Sequence, residues 1–300
     1  MKKEKLDQDE FLDKYCVSQA FERSGISWDT LMKIYDDYND IRHELQKECE
    51  EISKYIKEDL DISIHSIQGR VKDAEHLIEK IIRKRGIEQS HKYVNINVDN
   101  YREIIKDLIG IRILTLSKEE WKNVHDWLCD KFSGENIKER YIDEPPKAYT
   151  RYGDRDIFEN KIEKEHSNKG YRSQHYVMCF DGTYCEIQVR TLAEEVYGEF
   201  DHRAKYPYRN DNKFLKRYTN MVSQFLYSVD EMISTCFQMG EEGWNTCGRY
   251  YEEDQYVDWT RVSQSVKDMD KMQEQTETVV PGEKVEIGSR INNFILRRER

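Results

Sequence analysis

Tyr171, Ser173, His175, Glu186, Gln188 and Arg190 could share one side of a β-hairpin. Asp181-Gly182 separates two alternating runs, and both central residues of a type I′ turn need positive φ. With the turn there, residue 180 faces 183, 177 faces 186, 175 faces 188 and 173 faces 190. Opposite side chains lie about 5 Å apart on one face. The other face carries Tyr176, Met178, Cys185, Ile187 and Val189, a surface fit only for a core. A carboxylate, an amide, an imidazole, a guanidinium and a phenol gathered this way can bind a polar substrate and move a proton.

Two further groups point to phosphate chemistry. Lys72, His76, Lys80 and Lys84 recur every four residues on one face of an expected helix, with Ala74, Leu77, Ile78 and Ile81 opposite. Lys72 to Lys80 spans about 12 Å at the helical rise, enough to follow a chain of phosphates. Arg70 precedes this helix, where unpaired backbone N–H groups also favour an anion. In Asp107-Leu-Ile-Gly-Ile-Arg112 the carboxylate enters an apolar strand, and Arg112 alternates with Ile111 and Ile113. Asp107 and Glu186 together could hold Mg²⁺, a hard cation suited to one or two carboxylates plus phosphate oxygens.

The remaining elements must position these groups. A helix is expected over residues 5–22, closed by Ser24-Gly25, and a longer one capped by Ser27 that buries Leu31, Tyr35, Tyr38, Ile41, Leu45, Cys49, Ile52 and Ile56. Residues 62–68 read as a strand leading into Gly69-Arg70-Val71-Lys72, followed by a helix to about Arg85. Tyr101–Lys106 reads as a helical turn, Ile109–Leu116 as a buried strand, and Glu119–Phe132 as an amphipathic helix in which Trp121 and Trp127 pack. Residues 134–168 read as an irregular mobile loop. Thr191 and Glu194 form a capping box for a helix that Pro207 ends, and residues 213–239 form another. His202 is expected to be a hydrogen-bonding residue behind the site, and Tyr250–Trp259 a satellite cluster.

Composition narrows the class. A net charge of −11 excludes a general nucleic-acid coat, so any polyanion site is a local patch in an acidic body. The seven cysteines show no zinc or C-x-x-C spacing. With no apolar leader and no run approaching a membrane span, a reduced, cytoplasmic protein is expected.

Gly69-Arg-Val-Lys72 with Lys80, Asp107-x-x-Gly-x-Arg112, Gly170-Tyr-x-Ser-x-His175, Glu186-Ile-Gln-Val-Arg-Thr191 and His202 resemble, in order, the motifs of RelA/SpoT-type alarmone synthetases. The resemblance covers roughly residues 60–207, and Ser228-Val-Asp-Glu-Met232 is similar to the helical tail of stand-alone members. It implies an α+β fold: a nucleotidyltransferase-like mixed sheet flanked by helices, with helices at residues 1–60, a core at 61–207 and a helical, polar extension at 208–300. It implies transfer of pyrophosphate from ATP to a ribose 3′-hydroxyl, normally of GDP or GTP.

Carried onto this chain, Arg70, Lys72 and Lys80 would bind the donor phosphates and Arg112 would stack near the adenine. Asp107 and Glu186 would hold Mg²⁺, with Glu186 taking the 3′-OH proton. Tyr171 would stack on the acceptor base, and His175, Gln188 and Arg190 would line the acceptor side. The chain departs from the family before Gly-Tyr, with His166-Ser-Asn-Lys169 in place of a Pro-Lys-x-Asn run. Its one His-Asp pair, His125-Asp126, falls inside an expected helix, so the chain should synthesise and not degrade.

Relatives of this kind include toxins that act on the 3′ end of tRNA, makers of adenosine alarmones, and silent nucleotide-sensing or partner-binding modules; an antitoxin or a homo-oligomer is a further expected partner. Lys80, Arg83, Lys84 and Arg85, with Arg297, Arg298 and Arg300, are the basic groups a tRNA acceptor would need.

Overall fold

The computed structural model describes residues 6–60, 62, 64–133, 139–151, 153–167, 170–205 and 213–247. The chain divides into two units, Met1–Gly243 and Trp244–Arg300, the second described only over its first, helical residues. Tyr250–Trp259, Pro207 and the arginines at 297, 298 and 300 lie outside the described residues.

Three helices lead in: α1 (Gln8–Lys14), α2 (Ser18–Ser24) and α3 (Trp28–Asp59). The single helix expected over residues 5–22 is therefore broken. Tyr15 and Val17 are both buried, and a continuous helix would turn them to nearly opposite sides. Cys16 adopts φ 53°, which resets the chain direction between them. Ser27 caps α3 by accepting from the Thr30 N–H at 3.1 Å. The buried stripe of α3 runs from Leu31 through Ile34, Tyr38, Leu45, Cys49 and Ile52 to Ile56; Tyr35 and Ile41 are only partly covered.

The sheet and its helices follow: β1 (Ser66–Val71), α4 (Ala74–Gly86), α5 (Tyr101–Ile104), β2 (Ile109–Thr115), α6 (Trp121–Phe132), β3 (Arg140–Ile142), β4 (Lys147–Thr150), β5 (Glu163–His166), β6 (Ser173–Phe180), β7 (Thr183–Thr191), α7 (Leu192–Lys205) and α8 (Lys213–Cys247). The strands form one mixed sheet in the order β1-β2-β7-β6-β4-β5, with β3 also on β6. β2 runs parallel to β7 and β4 to β5; the other pairs are antiparallel. This is the α+β, nucleotidyltransferase-like arrangement that the motifs implied.

The hairpin register is the expected one, with Phe180 opposite Thr183, Val177 opposite Glu186 and His175 opposite Gln188. Asp181 and Gly182 take φ 50° and 92°, as a type I′ turn requires. Beneath the sheet, Tyr176, Met178, Cys185, Ile187 and Val189 are fully buried. Leu77, Ile78, Ile81 and Ile82 of α4 join that core, each burial contributing about 2 kcal/mol. β1 extends past the expected end of its strand through Gly69 to Val71. A Cβ at Gly69 would stand 2.7 Å from Cys49 Sγ, so only glycine lets α3 pack this closely on β1.

Residues 134–168 are not one irregular loop. β3, β4 and β5 lie there and complete the sheet beside β6, while Ala148, Phe158 and Ile162 are buried. These strands are three or four residues long, and β5 is exposed throughout. No alternation marks them; the open edge of β6 makes them strands. The capping box at α7 is present: the Thr191 N–H donates to Glu194 Oε2 at 2.9 Å and the Glu194 N–H to Thr191 Oγ1 at 3.1 Å. Trp121 packs on Phe158 with ring centroids 4.8 Å apart, and Trp127 donates to Asp59.

Candidate active site

The sheet register aligns the chemistry in two rows. Arg70, Gly110 and Glu186 are neighbours across β1, β2 and β7. Gln68, Arg112, Gln188 and His175 form the next row. Gly110 adds no side chain between Arg70 and Glu186, and a cleft of about 420 Å³ opens over these rows. Arg70, Lys72, His76, Lys80, Asp107, Arg112, Glu186, Gln188 and His202 all line it.

Asp107 is delivered to this cleft by the turn entering β2, where the Lys72 N–H donates to the Leu108 carbonyl at 2.9 Å. The Tyr38 hydroxyl donates to the Lys72 carbonyl at 2.7 Å, fixing the start of α4. Both ammonium groups converge on one carboxylate oxygen: Lys72 Nζ lies 3.0 Å and Lys80 Nζ 2.6 Å from Asp107 Oδ2. Burial opposes ionisation of Asp107, but the two lysines outweigh it and hold the carboxyl far below the usual range. Burial likewise opposes the charge on Lys80, and Asp107 reverses the balance and raises it. The other oxygen, Asp107 Oδ1, is buried and has no hydrogen-bond partner.

Arg70 is a cation on the wall of the cleft. Burial, then the Arg112 guanidinium, push it below its ordinary range, and no carboxylate among the described residues pairs with it. Arg112 is engaged by Glu195 and by Glu199, the latter at 2.7 Å. The stripe at four-residue spacing does not stay in one line. A helix turns about 40° beyond a full circle over four residues, so Lys84 leaves the cleft and pairs with Glu88. His76 and His202 stand together on the wall, ring centroids 6.2 Å apart, both lowered in pKa by burial.

On the hairpin side a chain of hydrogen bonds runs through the site. His175 Nδ1 lies 3.0 Å from Glu186 Oε1, and Nε2 lies 2.9 Å from the Tyr171 hydroxyl. Glu186 is held ionised although burial opposes it, because His175 hydrogen-bonds its carboxylate. Nδ1 therefore carries the proton, and Nε2 accepts from the phenol. Arg190 donates to the Tyr171 hydroxyl and sits 4.9 Å from its ring centroid. Buried Arg190 also donates to Ser173 Oγ at 3.1 Å and pairs with Glu195 at 3.0 Å. Gln188 donates to the second Glu186 oxygen.

Sequence reasoning missed Tyr149, because β4 read as loop. Its ring centroid is 4.7 Å from that of His175 and 5.9 Å from that of Tyr171, completing an aromatic wall. Burial, then the charges of Glu165 and Glu186, push its phenol up to about 12. Glu195 and Glu199 were also missed; they follow the capping box and are indistinguishable in sequence from surface acids. Of the basic residues that a tRNA would need, those among the described residues have partners within the chain: Lys80 with Asp107, Arg83 with Glu79 and Glu88, Lys84 with Glu88, and Arg85 on the carbonyls of Ser24, Tyr93 and Val94. No group of three or more His, Cys, Asp or Glu suited to a metal occurs among the described residues, so a cation here would rest on Asp107 and Glu186 plus substrate oxygens. No helix among the described residues is long and apolar enough to cross a membrane.

Residues 69–211 match the family described as a region found in RelA / SpoT proteins. No curated protein sequence matches the chain. Among solved structures, small alarmone synthetase 1 from Bacillus subtilis aligns with a TM-score of 0.52 at 22% identity, covering 69% of this chain and 99% of that one. A GTP pyrophosphokinase family protein from Streptococcus pneumoniae aligns with a TM-score of 0.47 at 22% identity, covering 80% and 97%. The first likeness shows a common fold, and the matched segment contains every lysine, arginine and carboxylate of the cleft described above. Residues 69–211 of this chain thus carry the region found in RelA / SpoT proteins, the family that its motifs resemble.

Proposed function

We propose that the chain is an ATP-dependent pyrophosphokinase that transfers the β,γ-pyrophosphate of ATP to the ribose 3′-hydroxyl of GDP or GTP. The observation that carries this is the presence, in one cleft, of Arg70, with no carboxylate partner among the described residues, and of Glu186, a carboxylate kept ionised by His175. The new bond joins the 3′-oxygen to the β-phosphorus, the bond from that phosphorus to the α,β-bridging oxygen breaks, and AMP leaves. Glu186 takes the hydroxyl proton. Arg70, Lys72 and Lys80 offset the charge on the donor phosphates, and Tyr171 with Tyr149 forms the wall on which the acceptor base stacks. Such transfer depends mainly on alignment and charge neutralisation.

Asp107 and Glu186 fit Mg²⁺. Both are hard oxygen donors on one cleft, and Asp107 Oδ1 is a buried oxygen with no partner of its own. Bound there, Mg²⁺ would screen the triphosphate and strengthen its electrophilic phosphorus. The test is incubation of the purified chain with γ-labelled ATP, Mg²⁺ and, separately, GDP, GTP, ATP or tRNA. Label on GDP or GTP with release of AMP supports the reading. Label only on tRNA or on an adenine nucleotide replaces the acceptor, and no transfer to any of them overturns it.

A further inference from the structure

Glu195, in the first turn of α7, holds one arginine on each of its two carboxylate oxygens. Oε1 accepts from Nη1 of Arg112, on the wall of the cleft. Oε2 accepts from Nη1 of Arg190 at 3.0 Å, and Arg190 supports the Tyr171 ring.

The sheet makes such a bridge necessary. Arg112 of β2 is registered with Gln188 of β7, so Arg190, two residues on, stands diagonally across from it on the same face. Two guanidiniums placed this way repel, and little water reaches them to screen the charge. Their side chains are 13% and 5% exposed, and that of Glu195 is 11% exposed. Glu199, one turn further along α7, also accepts from Arg112 but not from Arg190.

From Arg190 the contacts continue without a break to the proposed base. Arg190 donates to the Tyr171 hydroxyl, which lies 2.9 Å from His175 Nε2, and His175 Nδ1 lies 3.0 Å from Glu186. Arg112 stands at one end of this chain and Glu186 at the other, with Tyr171 between them. Arg112 is also incompletely satisfied, because its Nε is buried and has no hydrogen-bond partner. A bound donor that draws Arg112 toward itself loosens the contact to Glu195 Oε1. The two oxygens of one planar carboxylate cannot move independently, so Glu195 then closes on Arg190 and steadies the Tyr171 ring.

Given the pyrophosphokinase reading above, we propose that Glu195 is a positioning residue that couples the two substrates: a donor held at Arg112 strengthens acceptor binding at Tyr171, and the reverse. Calorimetry on the full chain with Mg²⁺, α,β-methylene ATP and GDP, each nucleotide alone and each with the other at saturation, tests this. Each nucleotide should raise the affinity for the other by the same factor, about fivefold or more. Glu195→Gln sets an amide NH₂ against one of the arginines and should bring that factor to within about twofold of one. Glu199→Gln disturbs Arg112 and not Arg190, so it should change donor affinity and keep the factor. If Glu195→Gln fails to fold by far-ultraviolet dichroism, Arg112→Gln cuts the same bridge from the cleft side and should likewise remove the coupling. A Glu195 that only supports the fold would lower stability or both affinities and leave the factor as it was. That result, or a factor of one in the parent chain, overturns the proposal while transfer activity stands. Failure of either nucleotide to bind the parent chain overturns the pyrophosphokinase reading, and the coupling with it.

Discussion

His175 holds the Glu186 carboxylate through Nδ1 at 3.0 Å and thereby couples it, through Nε2 and the Tyr171 hydroxyl, to buried Arg190. The chain of contacts crosses from the solvent-facing cleft to the interior in three side chains. Its consequence is a carboxylate kept ionised in a buried setting that by itself would raise the pKa.

The first prediction concerns that carboxylate, the proposed base. The pKa of Glu186 is lowered by His175, so activity should fall only as pH drops through a value below the ordinary carboxylate range. His175→Ala removes the hydrogen bond and leaves burial unopposed, moving the acidic limb of the kcat profile to higher pH. The rate itself should drop by about 10²-fold, the lower end of what a positioned base contributes. A pH–rate profile from pH 4 to 8 checks this, and an unmoved limb would disconnect His175 from the base.

Asp107 makes a statement about stability as well as binding. Its carboxyl is depressed in the folded state, so its contribution is complete above the unfolded value of about 4 and is lost as pH falls below that. Asp107→Asn leaves Lys72 and Lys80 facing each other without the anion, and should cost about 1–3 kcal/mol at pH 7. Urea unfolding at pH 7 and pH 3 should show the difference between the two chains shrinking at the lower pH.

Tyr171 and Tyr149 should separate acceptor from donor. Tyr171→Ala should abolish transfer while ATP binding, measured by calorimetry, stays within about threefold, because base stacking is worth ~1–3 kcal/mol and sets alignment. Tyr149→Ala should raise the acceptor KM with a smaller effect on kcat. Equal loss of ATP affinity in either variant would assign that ring to the donor side.

The buried contact beneath α8 should respond to pH. Burial, then the neighbouring Glu194 charge, push the Asp230 carboxyl up to about 7, while its Oδ1 is buried without a partner. A carboxyl whose folded value is raised binds its proton more tightly when folded, so stability should decline as pH rises from about 4 to about 7 and level off above. Asp230→Asn resembles the protonated acid and keeps an acceptor for Thr191. Melting curves at pH 5 and pH 8 should show the variant losing less stability between them than the parent chain.

How far these features are legible without coordinates depends on the range of the interaction that makes them. The Asp181-Gly182 turn, the two faces of its hairpin and the Thr191–Glu194 capping box are local, so residue type and spacing determined them. The α4 core stripe and the long α3 surface followed from helical period for the same reason. Only tertiary structure decided that β4 is a strand, since its four residues have no pattern and take their conformation from the β6 edge; with it came Tyr149. The convergence of Lys72 and Lys80 on a single oxygen of Asp107 was equally hidden, because it joins a strand end, a helix and a turn far apart in the chain. Periodicity records which side of an element is apolar. It does not record which polar atoms from other elements will meet there, and long-range packing alone sets those distances.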